Sequence, residues 1–209
     1  MKFKSFICAV AVFSLTLCAE TITLPAPQKN SGMDLMQALN ERCTIRSYKT
    51  TDLDHQQISN LLWCANGINR KNGKRTAPSA INRQEISLYL LTSQAVYKYI
   101  PDTNALEKVK DGDFRKWAGK FTAPVYVALV ADLKKAASPH YAKIDTGYVS
   151  QNIYLYCASS GLGTCAIGSF DRIAGSEKGA KLHEALNLNK DQIVMLTHSV
   201  GIRKDVSIN

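Results

Sequence analysis

Residues 41–48 read ERCTIRSY, and the chemistry they offer is anion binding. Arg42 and Arg46 stand four apart around the hydroxyl of Thr44, where an apolar-periodic segment ends. Two guanidinium forks and a hydroxyl donor match phosphate oxygens better than a lysine point charge would. The same spacing also suits two charges on one solvated helix face, so the rest of the chain must decide. A second candidate is APSAINRQ, residues 77–84. Pro78 biases Ala77 toward extended geometry, and the small Ser79 and Ala80 let a flat ligand approach the main chain. Asn82 offers a donor and an acceptor, the complement of an imide edge, although an Asx turn accounts for the same residues. The third is GLGTCAIGSFD, residues 161–171. A dinucleotide-binding loop is excluded there, because the glycines follow a helix and Ala166 stands where that fingerprint needs glycine. The segment reads as a turn into a short extended stretch in which Ala166, Ile167 and Gly168 present backbone amides to a ligand.

Other chemistries fare poorly. His55, His140, His183 and His198 have no metal-ligand spacing and read as surface or helix residues. Cys165 and His183 are a conceivable thiol–imidazole pair, with no motif around Cys165 to support it. Asp111, Asp113 and Arg115 in DGDFR read as turn and cap residues.

These residues need elements to position them. Asp34 is placed to cap a first helix carrying Leu35, Ala38 and Leu39 to about Arg42. A second helix is expected from Asp54 through Ile58, Leu61, Leu62 and Ala65 to Asn66-Gly67. Residues 67–84 form a long polar loop of the kind that function retains. EISLYLLTS and AVYKYI read as strands, and APVYVALVAD as a strand buried on both faces. Residues 142–160 are expected as the longest helix, with Ile144, Val149, Ile153, Tyr156 and Cys157 on its core stripe and a glycine exit. A short helix near 176–186 and a final strand QIVMLTHSVGI complete an α+β domain with no internal repeat.

At the N-terminus, Lys2 and Lys4 precede an apolar run from Phe6 to about Cys18, which reads as a signal peptide, residues 1–19, too short to span a membrane. Lipidation at Cys18 is the weaker reading, since Leu17 stands where a small residue belongs. Residues 20–32, rich in proline and polar groups, read as a flexible tether, and residues 33–209 as the folded domain. The 209-residue chain carries 26 basic and 17 acidic residues; without its first 19 the formal charge is +7. That balance favours acidic ligands, but no dense basic block points to nucleic acid. Cys43, Cys64, Cys157 and Cys165 remain, either as two disulfides in an oxidising envelope or as buried free thiols.

The order of these segments carries more than any one of them. An Arg-hydroxyl-Arg signature, then PSAIN with Gln84, then GLGT with IGSFD, then Arg203 and Lys204 resemble the nitroreductase family of FMN-dependent oxidoreductases over about residues 33–205. The resemblance implies a nitroreductase-like fold, a central, mostly antiparallel sheet flanked by helices. It implies that Arg42, Thr44 and Arg46 hold the FMN phosphate and ribityl chain. Pro78, Ser79, Ala80 and Asn82 would contact the flavin, and the backbone of Ala166, Ile167 and Gly168 would approach flavin N5. A basic residue at Arg203 or Lys204 would complete the phosphate site. Family members often carry Pro and Glu at the places of Ala166 and Gly168; a backbone donor survives that change, and a role for the acid side chain does not. The resemblance further implies a homodimer with each flavin at the subunit interface and ping-pong transfer of hydride through N5 to a small organic acceptor. No side-chain nucleophile is then required. The stretch 95–115 also resembles the azoline-oxidising dehydrogenases, which leaves a dehydrogenase acting on a modified peptide, or a non-catalytic flavin-binding protein, as alternatives. Export, expected to the periplasm or cell envelope, would make FMN a cofactor acquired after translocation and the donor either NAD(P)H or an envelope reductant.

Overall fold

The computed structural model describes residues 20–168 and 176–204; the expected signal peptide lies outside them. Its frame is a seven-stranded sheet: β1 (Thr21–Thr23), β2 (Ile86–Leu91), β3 (Ala95–Ile100), β4 (Ala105–Asp111), β5 (Val125–Asp132), β6 (Leu162–Gly168) and β7 (Gln192–Ile202). The strand order is β1-β4-β3-β2-β5-β7-β6, with every neighbouring pair antiparallel. Among the described residues, five α-helices accompany it: α1 (Leu35–Glu41), α2 (His55–Asn66), α3 (Arg115–Ala118), α4 (Pro139–Ser159) and α5 (Glu177–Ala185). This is the expected α+β class.

Both sheet faces are covered, which explains why β5 reads as an unbroken apolar run despite being antiparallel. Successive side chains point to opposite faces. Val127 and Leu129 therefore join Leu88, Leu90, Leu61 and Ile153 in a cluster with α2 and α4. Ala128 and Val130 join Tyr89, Leu91 and Leu182 in a second cluster with α3 and α5. α2 begins with a reciprocal cap, in which Asp54 Oδ1 accepts from Gln57 N (2.7 Å) and Gln57 Oε1 accepts from Asp54 N (3.0 Å). α4 begins with Ser138 accepting from Tyr141 N and with Pro139 in its first turn. Pro139 lacks only an N–H that would be orphaned there anyway, so the helix starts three residues earlier than its apolar pattern predicts.

Four expectations need correction. The 20–32 tether is tied down at its start: β1 pairs with β4, and Leu24 is buried. β4 itself was hidden by Glu107, Lys108 and Lys110, whose heads reach water while Ala105 and Leu106 are buried. Ile144 stands exposed with Tyr141 and Tyr148, and the buried stripe of α4 instead includes Asp145 and Ser150 beside Val149, Ile153 and Cys157. Asp34 occupies the cap position of α1, but its side chain accepts no capping hydrogen bond. All four cysteines in the described residues are free thiols.

Candidate functional site

α1 ends at Arg42, whose ψ of 115° turns the chain extended. The segment that follows lies against the open edge of β6 and the end of β7. Ile45 N donates to Thr164 O (2.9 Å), Lys49 N donates to Ile202 O (2.8 Å), and Tyr48 bridges Arg203. Lys204 N reaches Ser47 O at 3.4 Å. This pairing brings Arg42, Thr44 and Arg46 together with β6 and with Arg203 and Lys204. It depends on the close approach of Gly163, where an added Cβ would stand 2.5 Å from Ile45 Cγ2 and 2.7 Å from Ile45 Cβ. Gly163→Ala is therefore expected to lose about 1–3 kcal/mol of stability, the usual cost of overpacking. A urea midpoint equal to wild type would show that the segment moves aside freely.

Behind the arginines stands Tyr154 of α4. Ala166 N donates to its hydroxyl (2.9 Å), Thr44 Oγ1 lies 3.2 Å from the same oxygen, and the Arg42 guanidinium lies 5.4 Å from its ring centroid. The Tyr154 ring meets His198 edge-on, with centroids 5.3 Å apart. His198 is wholly buried on β7, with Nε2 2.8 Å from Ser150 Oγ and Nδ1 3.0 Å from Thr164 Oγ1. Burial holds its pKa down, from 6.5 to about 3, so the ring is neutral. The reading of His198 as a surface or helix residue is thus corrected: it is a satisfied core group that fixes the back of the site.

The three amides expected to face a ligand are not equivalent. Antiparallel pairing turns alternate residues of an edge strand toward and away from its neighbour. Thr164 O and Ala166 N bond to Ile45 and Tyr154, away from β7, so the same parity directs Ile167 N to β7 and Gly168 N outward. Ala166 N is already taken, and Gly168 N is the outward amide left. Gly168 also lines a cavity of about 390 Å³, with Arg46, Ala166, Ile167, Lys120, Phe121 and Lys178. A volume near 400 Å³ is typical of small-molecule sites. Among the described residues, no carboxylate pairs with Arg42, Arg46, Arg203 or Lys204.

The 77–84 loop lies elsewhere. Ala80 N donates to Asp145 Oδ2 (2.9 Å), and Gln84 N donates to Ser79 Oγ (2.9 Å). Asp145 and Tyr154 are nine residues apart on α4, about 14 Å along the axis. Within one chain, Pro78, Ser79, Ala80 and Asn82 therefore do not join the arginine cluster. Ile81, Asn82 and Gln84 have φ of 45°, 56° and 51°, and Ile81 is 76% exposed. A β-branched residue in the left-handed region is a genuine outlier, of the kind that clusters at functional sites.

The thiol–imidazole pair is not made. His183 Nε2 contacts Gln192 O (3.2 Å), and the Cys165 thiol donates to its neighbour's carbonyl. Burial also pushes the Cys64 thiol up to about 11, and Cys157 higher still, which leaves poor nucleophiles. Sequence reasoning missed Tyr154, Thr164, Lys120 and Lys178. Only His198 left a signal, as one polar ring inside the apolar strand VMLTHSVGI.

Along one sheet edge, cations with no carboxylate partner among the described residues stand beside an outward amide, an arrangement that suits an anion. The nitroreductase family model matches residues 39–202, and the chain belongs to that family, whose members are FMN-dependent oxidoreductases. A crystal structure of a candidate nitroreductase from Ralstonia eutropha JMP134 superposes with a TM-score of 0.80 at 32% identity, over 89% of this chain and 90% of that one. A curated candidate nitroreductase of Methanocaldococcus jannaschii is 26% identical over 156 residues, 65% of this chain and 79% of its own length. A Desulfovibrio desulfuricans candidate nitroreductase, solved in complex with FMN, shares the fold at 17% identity, with a TM-score of 0.61 over 84% of this chain and 89% of that one.

Proposed function

We propose that this protein is an exported, homodimeric oxidoreductase that binds FMN and passes reducing equivalents to a small organic acceptor. The observation that carries the reading is the backbone pairing that brings the segments of Arg42, Thr44 and Arg46 and of Arg203 and Lys204 to one sheet edge, with no carboxylate partner for these cations among the described residues. Unneutralised guanidiniums beside a hydroxyl fit a phosphate monoester, so the residues present suit the group. Arg42, Thr44 and Arg46 would hold the phosphate and ribityl chain, with Arg203 or Lys204 closing the site. The Gly168 amide would donate to the ring edge. Bound FMN would supply two-electron redox chemistry between a donor, NAD(P)H or an envelope reductant, and the acceptor. Tyr154 fixes Ala166 and Thr44 in place, and the buried Ser150–His198–Thr164 contacts stop that wall from shifting.

Dimerisation is supported by two features. The 77–84 loop stands too far from the arginines of its own chain to touch the same ligand, so Pro78, Ser79, Ala80 and Asn82 would serve a flavin held by the partner subunit. Leu35, Met36 and Leu39 on α1, with Tyr141, Ile144 and Tyr148 on α4, are exposed apolar side chains that an interface would cover. The N-terminal segment supports export.

The test is direct. Purified protein mixed with FMN is expected to retain the yellow flavin spectrum after desalting and to release flavin on denaturation. A colourless protein would sink the reading. Anaerobic NADH or NADPH that bleaches the bound flavin, followed by turnover with an acceptor, separates a reductase from a protein that only stores flavin.

A further inference from the structure

Glu85 stands between the 77–84 loop and β2, and only 1% of it is exposed. Neither of its carboxylate oxygens has a hydrogen-bond donor among the described residues. Its carboxyl group lies instead against that of Asp145, itself buried on α4. Two buried carboxylates in contact cannot both be ionised, because each charge is desolvated and repels the other. The contact becomes a hydrogen bond as soon as one of them carries a proton. Asp145 Oδ2 accepts Ala80 N–H, whereas Glu85, buried and without a donor, has its pKa raised and is the acid of the pair.

We propose that Glu85 and Asp145 share a single buried proton, and that this proton fastens the 79–84 loop to α4. Glu85 is then a positioning residue: it lends Asp145 a donor, and Asp145 in turn holds Ala80. Losing the proton puts two like charges beneath a loop that already carries three left-handed residues, and the Ala80 anchor gives way.

Apart from its own backbone N–H, which favours the charged form less than burial opposes it, Glu85 has no alternative partner among the described residues. Asp145 is the only charge among the described residues that reaches it. On β5, Asp132 bonds to Glu85 through its own backbone N–H, and its carboxylate accepts Lys134 N. Arg75 in the loop is turned to Gln84 Oε1 and Asn66 O, and Asn66 of α2 donates to Ile86 O. Burial first, then Asp145, raises the Glu85 pKa from 4.5 to about 7, which places the release near neutrality.

The proton and the loop can be tested without cofactor; the effect on FMN rests on the proposed function above. Infrared titration of the apo protein is expected to show a protonated-carboxyl band that fades with a midpoint near 7 and is absent in Glu85→Gln. Hydrogen exchange should show the protection factor of the Ala80 amide falling about tenfold as pH rises one unit past that midpoint, while Glu85→Gln, which keeps a donor for Asp145, holds its protection. FMN affinity should fall in parallel in wild type and stay level in the variant. No protonated band, or equal loss of protection in wild type and Glu85→Gln, would overturn the proposal. Should Glu85→Gln fail to fold, Asp145→Asn still accepts the Ala80 amide and must move the band's midpoint downward; an unmoved midpoint overturns the shared proton. Failure of FMN to bind at every pH would refute the cofactor reading alone, with the infrared and exchange results still deciding this one.

Discussion

Arg46→Ala is expected to weaken FMN binding by more than an order of magnitude while leaving the fold intact. Arg46 lines the same cavity as Gly168, and no described carboxylate neutralises it. It stands exposed in the free protein, so an anion reaches it without first breaking an ion pair. Removing one partner of a desolvated charge pair typically costs about 2–5 kcal/mol, well above the roughly 1.4 kcal/mol that makes a factor of ten. Arg46→Lys separates charge from shape: a lysine keeps the charge but loses the fork, so its affinity should fall between the two. Both losses should shrink as added salt screens the site. Fluorescence titration of FMN against the three proteins is the measurement. Equal affinity in Arg46→Ala and wild type would make Arg46 a surface charge and remove the main support for the phosphate site.

The parts of the site that sequence could show are those set by local residue type. The Arg42, Thr44 and Arg46 cluster was visible because guanidiniums around a hydroxyl have a chemistry of their own, and β5 because a strand covered on both faces must be apolar throughout. β4 was not, since a strand one place from the edge can carry Glu107, Lys108 and Lys110 with their heads in water. The division of labour among Ala166, Ile167 and Gly168 was also hidden, because strand parity is fixed by where Ile45 and Tyr154 bond, across long stretches of chain. The separation of Asn82 from Arg46 has the same origin. Spacing along a chain says nothing of which side of α4 a loop reaches. The burial of Glu85 and His198 was hidden for a further reason: a titratable residue in or beside an apolar strand looks the same in sequence whether its head finds water or not.

Those last two groups should leave opposite marks on stability. His198 is buried as a neutral ring between two hydroxyls, so the folded state refuses a proton until about pH 3, whereas the unfolded chain accepts one below 6.5. Its depressed pKa means that stability present above 6.5 is lost as pH falls toward 3. Glu85 works the other way. Its raised pKa lets the folded state keep a proton that the unfolded chain releases, so its contribution is complete below 4.5 and is lost as pH rises through about 7. Each slope is about 1.4 kcal/mol per pH unit where only one state is protonated. Between 4.5 and 6.5 the two slopes cancel, and wild-type stability should be nearly flat. Exposed ion pairs such as Lys110–Glu184 add little to this balance. Glu85→Gln removes one side of it, and the variant should lose roughly 2–3 kcal/mol over that interval on acidification, with His198 acting alone. His198→Asn should do the reverse and gain stability as the pH falls. Urea unfolding of the apo proteins across the interval measures both. Parallel stability curves for wild type and Glu85→Gln would mean that Glu85 titrates alike in the folded and unfolded chains, and the buried proton would then have no place in the fold.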